Sequence, residues 1–178
     1  MIGTKRLLEL VEEIKLVENL STRELGNPEG SGFDLRVSEV YAIEDGESLL
    51  GVSERFTPEI KSLTNKNNEK EIIIKSGEFF LVKTIEKVNL PHNIAAILRP
   101  RSTLQRCGVA LFTAAVSPGY SGELTFGICN LGKNNFRLEI GARIVHILFF
   151  DTSENISSYR GQWQGGRVST SGKVETQV

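Results

Sequence analysis

The sequence predicts an all-β barrel or sandwich that carries a single helix at its N-terminus. Many short apolar or alternating runs are separated by turn signals, and only one segment has helical periodicity. With 178 residues and ordinary apolar and charged fractions, the chain is expected to form one domain with its own core. No internal repeat is visible.

The helix is predicted between Thr4 and Val17, within an N-terminal segment spanning 1–17. Its apolar residues recur at helical spacing, with Glu12, Glu13 and Lys15 on the opposite face. Thr4 is predicted to be the N-cap. The stretch Asn-Pro-Glu-Gly-Ser-Gly at 27–32 then breaks the chain before the first long strand.

The strands are predicted from alternation and from short apolar runs bounded by Gly, Pro, Asn and Ser. They are Phe33–Ile43, Glu71–Lys75, Glu78–Thr84, Asn93–Leu98, Val109–Thr113, Glu123–Leu131, Phe136–Ile140 and Ala142–Phe150. Residues 44–70 have the weakest pattern and are interpreted as an insertion or loop, with a mobile surface loop at 64–70. We therefore predict one β domain over 1–158 and a mobile tail over 159–178, where little can be buried.

Composition excludes several classes of function. The net charge of −1 gives no global field that would favour nucleic acid or an anionic membrane. Cys107 and Cys129 lie far apart without metal-ligand spacing, so reduced thiols are expected and a structural zinc site is not. The apolar run at 144–150 is too short to span a membrane, and a cytoplasmic location is expected.

A local anion site is predicted just after the run that ends at Pro100, because proline cannot donate to a sheet ladder. Arg101, Ser102, Thr103 and Arg106 follow it, before a glycine. Two cations and two hydroxyls in one turn suit an anion with several oxygens, such as a phosphate chain. The alternative is a surface turn with solvated arginines.

Five segments, taken in order, resemble the motifs of the dUTPase and dCTP deaminase superfamily, with particular likeness to the archaeal-type dUTPases and the deaminase branch. They are 31–36 (SGFDLR), 100–104 (PRSTL), 117–123 (SPGYSGE), 141–146 (GARIVH) and 159–166 (YRGQWQGG). The resemblance implies a distorted, jelly-roll-like β-barrel assembled as a homotrimer, with active sites between subunits and a C-terminal lid. It also implies a deoxynucleoside triphosphate substrate, dUTP or dCTP, with Mg²⁺ on its phosphates.

The same resemblance implies roles for single residues. Arg101 and Ser102 would hold the triphosphate, and Tyr120 would pack against the sugar unless it is a plain exposed turn tyrosine. Asp34 would hold the water shell of the magnesium or orient an arginine, or it is a salt-bridged carboxylate at a strand start. Further substrate contacts are expected from Thr103, Ala115, Gly119, Arg143, Tyr159, Arg160, Gln162 and Gln164.

The tail would act as a lid in this scheme. Trp163 offers a flat stacking face, Arg160 and Arg167 offer charge, and the glycines allow closure. Simple disorder of the tail is the alternative.

The chain departs from its relatives at the reacting residues. Ser117 takes the position of the aspartate that activates water in dUTPases, and a general base normally contributes a factor of roughly 10² to 10⁴ in rate. Gly127 takes the position of the proton-shuttling glutamate of the deaminases, although Arg106 matches their assisting arginine. Glu123 is the nearest carboxylate that could replace the base. His146 replaces a glutamine, as a phosphate donor or as a structural histidine.

These departures favour a dUTPase-type pyrophosphatase, which splits the triphosphate into monophosphate and pyrophosphate, with Ser117 and Glu123 handling the water. Two alternatives stay open. One is a dCTP deaminase that uses Arg106 and another carboxylate; the other is a catalytically silent nucleotide-binding protein.

Overall fold

The computed structural model describes residues 1–64, 70–154, 157 and 159–177. Its helices are α1 (Thr4–Ile14), α2 (Thr22–Gly26) and α3 (Ser102–Arg106). Its strands are β1 (Val17–Glu18), β2 (Gly32–Ile43), β3 (Leu49–Leu50), β4 (Glu54–Phe56), β5 (Ile60–Ser62), β6 (Glu71–Ile74), β7 (Phe79–Asn89), β8 (Ile94–Pro100), β9 (Val109–Phe112), β10 (Ser121–Asn130), β11 (Phe136–Glu139), β12 (Arg143–Asp151) and β13 (Glu175–Thr176).

The main sheet is antiparallel and curls into a nearly closed barrel. Its strands are ordered β8-β12-β2-β7-β10-β9. The two ends meet where Ala96 in β8 bridges to Val116, and where the Thr113 hydroxyl donates to the Leu98 carbonyl at 3.2 Å. The predicted all-β barrel is therefore confirmed, and Pro100 is the last residue of its strand, as expected.

Alternation along the strands builds the core. In β10 the buried apolar side chains are Leu124, Phe126 and Ile128, with partly exposed residues between them. Phe33 and Phe149 are fully buried and pack edge to face, with ring centroids 6.2 Å apart. Cys107 and Cys129 are free thiols.

Helix α1 packs Leu7 and Leu10 into the core, but its predicted ends are wrong. Gly3 is the N-cap, and the Thr4 hydroxyl instead donates to the Gly30 carbonyl at 2.7 Å. The helix ends at Ile14 because Lys15 adopts a left-handed conformation, which releases Val17 to pair with Val88. The prediction of a single helix was also wrong, because the structure contains α2 and α3 as well. Each of these helices has 5 residues, which is too short to show a periodic pattern.

The segment predicted as a loop at 44–70 contains three short strands. β5 extends the barrel beside β2, whereas β3 and β4 form a hairpin whose second strand pairs with β13 in the tail. Of the predicted loop at 64–70, Thr64 is buried and its hydroxyl accepts a hydrogen bond from the Val40 amide. Residues 65–69 lie outside the described residues.

Within the described ranges, no helix combines the length and the apolar character needed to cross a membrane.

Candidate functional site

A buried carboxylate, Asp34, organises one end of the barrel. It is 2 % exposed and lies in β2 directly opposite His146 of β12. Asp34 Oδ1 is 2.8 Å from His146 Nδ1, while Oδ2 accepts from Arg143 Nη1 at 2.8 Å and also from Arg101 Nη1. Both oxygens are thus engaged by cationic or ring donors, which fixes the direction of the Arg101 guanidinium.

Glu24 supports this cluster, and the sequence interpretation missed it. It is fully buried, pairs with Arg23, and accepts from the Asp34 backbone amide at 3.1 Å. Ser21 caps α2 by accepting from the Glu24 amide at 3.3 Å. A Ser-x-x-Glu spacing is the usual capping-box signal, so residues 21–24 could have predicted the helix, although not its contact with Asp34.

A shallow cleft opens beside the cluster. Several of its lining residues carry charged side chains, and the lining consists of Glu29, Gly30, Asp34, Arg99, Pro100, Arg101, Ser102 and His146. The cleft therefore brings Arg101 and Ser102 together, and their role as a triphosphate site stays a prediction. Burial lowers the pKa of His146, which favours the neutral ring.

The neighbouring residues of α3 do not join the cleft. Thr103 and Arg106 are exposed, and the Arg106 guanidinium donates to the Ser102 carbonyl at 3.3 Å. Their predicted substrate and catalytic roles stay predictions.

The cluster does not fit direct coordination of a magnesium ion. Both oxygens of Asp34 already accept hydrogen bonds from Arg101, Arg143 and His146, so these side chains, rather than a metal, compensate its charge. In the part of the chain that the structure describes, no group of three or more His, Cys, Asp or Glu side chains could hold an ion. The contacts match the expectation that Asp34 orients an arginine; a role through the metal's water shell stays a prediction.

A second depression, a cavity of about 250 Å³, lies between the barrel and the tail. Its lining is mainly apolar and consists of Leu98, Ala114, Ala115, Val116, Ser117, Tyr120, Leu124, Thr125, Phe126, Tyr159, Trp163, Arg167 and Val168. A concave apolar site with a few polar groups is typical of small-molecule binding. The structure brings Ala115, Ser117, Tyr120 and Tyr159 together here, and their predicted roles toward a substrate stay predictions.

Tyr120 is not an exposed turn residue. It is 7 % exposed, its hydroxyl donates to the Glu123 carbonyl at 2.7 Å, and its ring packs edge to face with Tyr159 at 5.3 Å. Burial raises the pKa of Tyr120 to about 12. The ring therefore forms a rigid, neutral wall of the cavity.

Glu123 does not line this cavity. Its Oε2 lies 3.6 Å from the Lys83 ammonium, and the same oxygen closely approaches Gly166 of the tail. Ser117 is exposed at the edge of the cavity. The proposed cooperation of Glu123 with Ser117 stays a prediction, and this packing does not favour it.

The tail lies over the cavity of its own chain. Tyr159 donates its amide to Pro118, and the Gln164 side chain bridges the Gly119 carbonyl at 3.1 Å and the Ser121 amide at 3.2 Å. Trp163 lies between two arginines, with Arg55 Cζ 5.0 Å and Arg167 Cζ 5.8 Å from its ring centroid. The tail therefore covers the cavity. Its action as a lid and its mobility stay predictions.

Two other tail residues with predicted substrate contacts, Gln162 and Arg160, lie apart from both depressions. Gln162 donates to the Thr176 carbonyl at 2.7 Å, and Arg160 is exposed. Neither lines the cavity or the cleft.

The cleft and the cavity share no residue. Strand β8 serves both, because Leu98 lines the cavity and Arg99 lines the cleft. Within one chain, Arg101 and Tyr120 therefore line two different depressions. The predicted homotrimer, in which neighbouring copies complete each site, stays a prediction.

Comparison with known proteins identifies the family. A family model described as dCTP deaminase-like matches residues 2–152. The chain belongs to this family. It is 32 % identical over 140 residues to a dCTP deaminase of Pyrobaculum calidifontis, covering 79 % of this chain and 78 % of the relative. It is 36 % identical over 137 residues to a probable deoxyuridine 5′-triphosphate nucleotidohydrolase of Methanosarcina barkeri, covering 75 % and 78 %.

One solved structure agrees with this fold. The 2′-deoxycytidine 5′-triphosphate deaminase of Agrobacterium tumefaciens superposes with a TM-score of 0.63 at 14 % identity, over 83 % of this chain. The dCTP deaminase-like chain spans about half of that structure, 47 % of its length.

In the dCTP deaminase-like chain, two aromatic rings cover Gly127. A Cβ at Gly127 would lie 2.6 Å from Phe79 Cζ and 3.4 Å from Phe112 Cδ2. The two rings pack with centroids 6.0 Å apart. Any side chain at this position would have to displace Phe79, so the space above Gly127 is taken by the rings.

Proposed function

We propose that the chain is a dUTPase-type pyrophosphatase, which hydrolyses dUTP to dUMP and pyrophosphate in pyrimidine deoxynucleotide metabolism. The observation that carries this choice of reaction is that position 127, where the deaminases carry their proton-shuttling glutamate, is a glycine covered by Phe79 and Phe112. Deamination must both deprotonate a water and protonate the departing amine, which calls for a proton-shuttling group beside the base. Phe79 and Phe112 cannot supply one.

The residues divide the work as follows. The triphosphate binds in the cleft, where Arg101 supplies a fixed charge aimed by Asp34, and Ser102 supplies a hydroxyl. The nucleoside binds in the cavity against Tyr120 and beneath the tail. Because the two depressions are separate within one chain, we expect a homotrimer in which one copy's cleft faces another copy's cavity.

Water attack at the α-phosphate is assigned to Ser117. A serine hydroxyl can position a water but is not a base near neutral pH, so we expect slow turnover. Mg²⁺ would be held by the substrate phosphates, with Asp34 acting through water at most.

The test separates the two products. Purified protein is mixed with dUTP or dCTP in the presence of Mg²⁺, and pyrophosphate and ammonia are measured independently. We expect pyrophosphate without ammonia. Ammonia from dCTP without pyrophosphate would reject the pyrophosphatase and favour the deaminase.

A second candidate, a nucleotide-binding protein without turnover, is favoured by one observation. Among the described residues, none of those lining the cavity is a carboxylate. The substitution Ser117→Asp discriminates, because a carboxylate there should raise pyrophosphate release by about 10²-fold or more if the water lies beside position 117. Ser117→Asn is the matched control, because asparagine has the shape of aspartate but cannot act as a general base. Tight binding by calorimetry with no turnover in either variant would support the binding protein.

A further inference from the structure

Thr125 lines the cavity and carries a buried hydroxyl that has no hydrogen-bond partner among the described residues. The side chain belongs to β10 and lines the cavity beside Leu124 and Phe126. Its Oγ1 is buried, yet within the described part of the chain it has no hydrogen-bond partner. A buried hydroxyl without a partner is unfavourable, and valine would fill the same volume without that cost.

The other hydroxyls around the cavity are occupied or hydrated. Tyr120 donates to the Glu123 carbonyl, and the Tyr159 hydroxyl accepts from the Trp163 amide at 3.3 Å. Ser117 is exposed to solvent. Thr125 therefore differs from its neighbours, because its hydrogen-bonding capacity is neither used by the protein nor available to bulk water.

We propose that the Thr125 hydroxyl hydrogen-bonds the polar edge of the pyrimidine base. This inference rests on the proposed function, since it places the nucleoside in the cavity. The surrounding side chains are mostly apolar and suit the faces of a flat ring, so a single buried polar group is best used by the ring edge. A hydroxyl both donates and accepts, so it can pair with a keto oxygen or with an exocyclic amine. The Thr125 hydroxyl can therefore hydrogen-bond either uracil or cytosine.

The experiment compares Thr125→Val, which removes the hydroxyl and keeps the shape, with Thr125→Ser, which keeps the hydroxyl. Binding is measured by calorimetry with α,β-imido analogues of dUTP and dCTP and with 2′-deoxyribose 5′-triphosphate, which lacks the base. We expect Thr125→Val to weaken both analogues about tenfold and to leave the sugar triphosphate unchanged. Thr125→Ser should bind both analogues as the native chain does.

A stability measurement gives an independent readout. Removing an unpaired hydroxyl should raise the Tm of the free protein by about 2–4 °C in Thr125→Val. Thr84→Val is the matched control, because the Thr84 hydroxyl is buried but paired: it donates to the Glu86 carbonyl at 2.7 Å and accepts from the Leu124 amide at 2.9 Å. That variant should lower the Tm.

Several outcomes would overturn the inference. A lower Tm in Thr125→Val would mean that the hydroxyl has a partner in the free protein. Unchanged affinity for both analogues would reject the contact while leaving the proposed function intact, and an equal loss for the sugar triphosphate would place the effect away from the base. A loss of affinity confined to one analogue would mean that the Thr125 hydroxyl does not hydrogen-bond both bases. If the native chain bound no nucleotide, the proposed function would fail and the inference with it.

Discussion

Anchoring of the tail to the hairpin of β3 and β4 can be tested by one substitution, Thr170→Val. Thr170 is 1 % exposed, its hydroxyl accepts from the Thr57 amide at 2.9 Å and donates to the Thr57 carbonyl at 3.2 Å. Valine keeps the volume but removes both bonds and leaves the Thr57 amide unpaired. This should weaken attachment of the tail by about 1–3 kcal/mol, which is about a 5- to 150-fold rise in the detached fraction.

The assay uses the only tryptophan in the chain, Trp163, which lies in the tail against Arg55 and Arg167. Detachment exposes the indole, so acrylamide should quench its fluorescence more strongly in Thr170→Val than in the native chain. Thr176→Val is the matched control, because it makes the same change at an exposed tail position. Equal quenching in all three proteins would refute the anchoring role of Thr170.

Three further predictions concern stability. Phe33→Ala should lower the free energy of unfolding by about 3–5 kcal/mol in denaturant titration, because it empties a fully buried site packed on Phe149, and a loss below about 1 kcal/mol would contradict that packing. Ser21→Ala should cost about 0.5–2 kcal/mol by removing the cap of α2, whereas no change would mean that the cap contributes nothing. The folded-state pKa of Tyr120, raised to about 12, means that the native state keeps the proton while the unfolded state loses it near 10. The free energy of unfolding should therefore fall as pH rises from about 10 to 12, and Tyr120→Phe should lose about 2 kcal/mol less over that window; identical pH profiles would reject the burial of the phenol.

Local patterns carried the fold class. Alternation predicted the long strands because each strand has one buried face, as in β10, and Pro100 predicted the end of β8 because it cannot donate onward. The prediction failed for β3 and β4 because they are only 2 and 3 residues long, and because β4 pairs with β13 at the other end of the chain. Short elements whose pairing is distant leave no periodic signal.

The sequence by itself determined the all-β class, the order of the long strands along the chain and the adjacency of Arg101 to Ser102, because these follow from periodicity and from neighbouring residues. Only the tertiary structure decided that Asp34 faces His146 and Arg143, that Glu24 is buried beneath it, and that Thr170 bonds Thr57 across 113 residues. It also placed Thr125 in the wall of the cavity and left its hydroxyl without a partner among the described residues. The physical reason is that local sequence sets which face of a strand is apolar, whereas strand register and packing between distant segments set which polar groups meet.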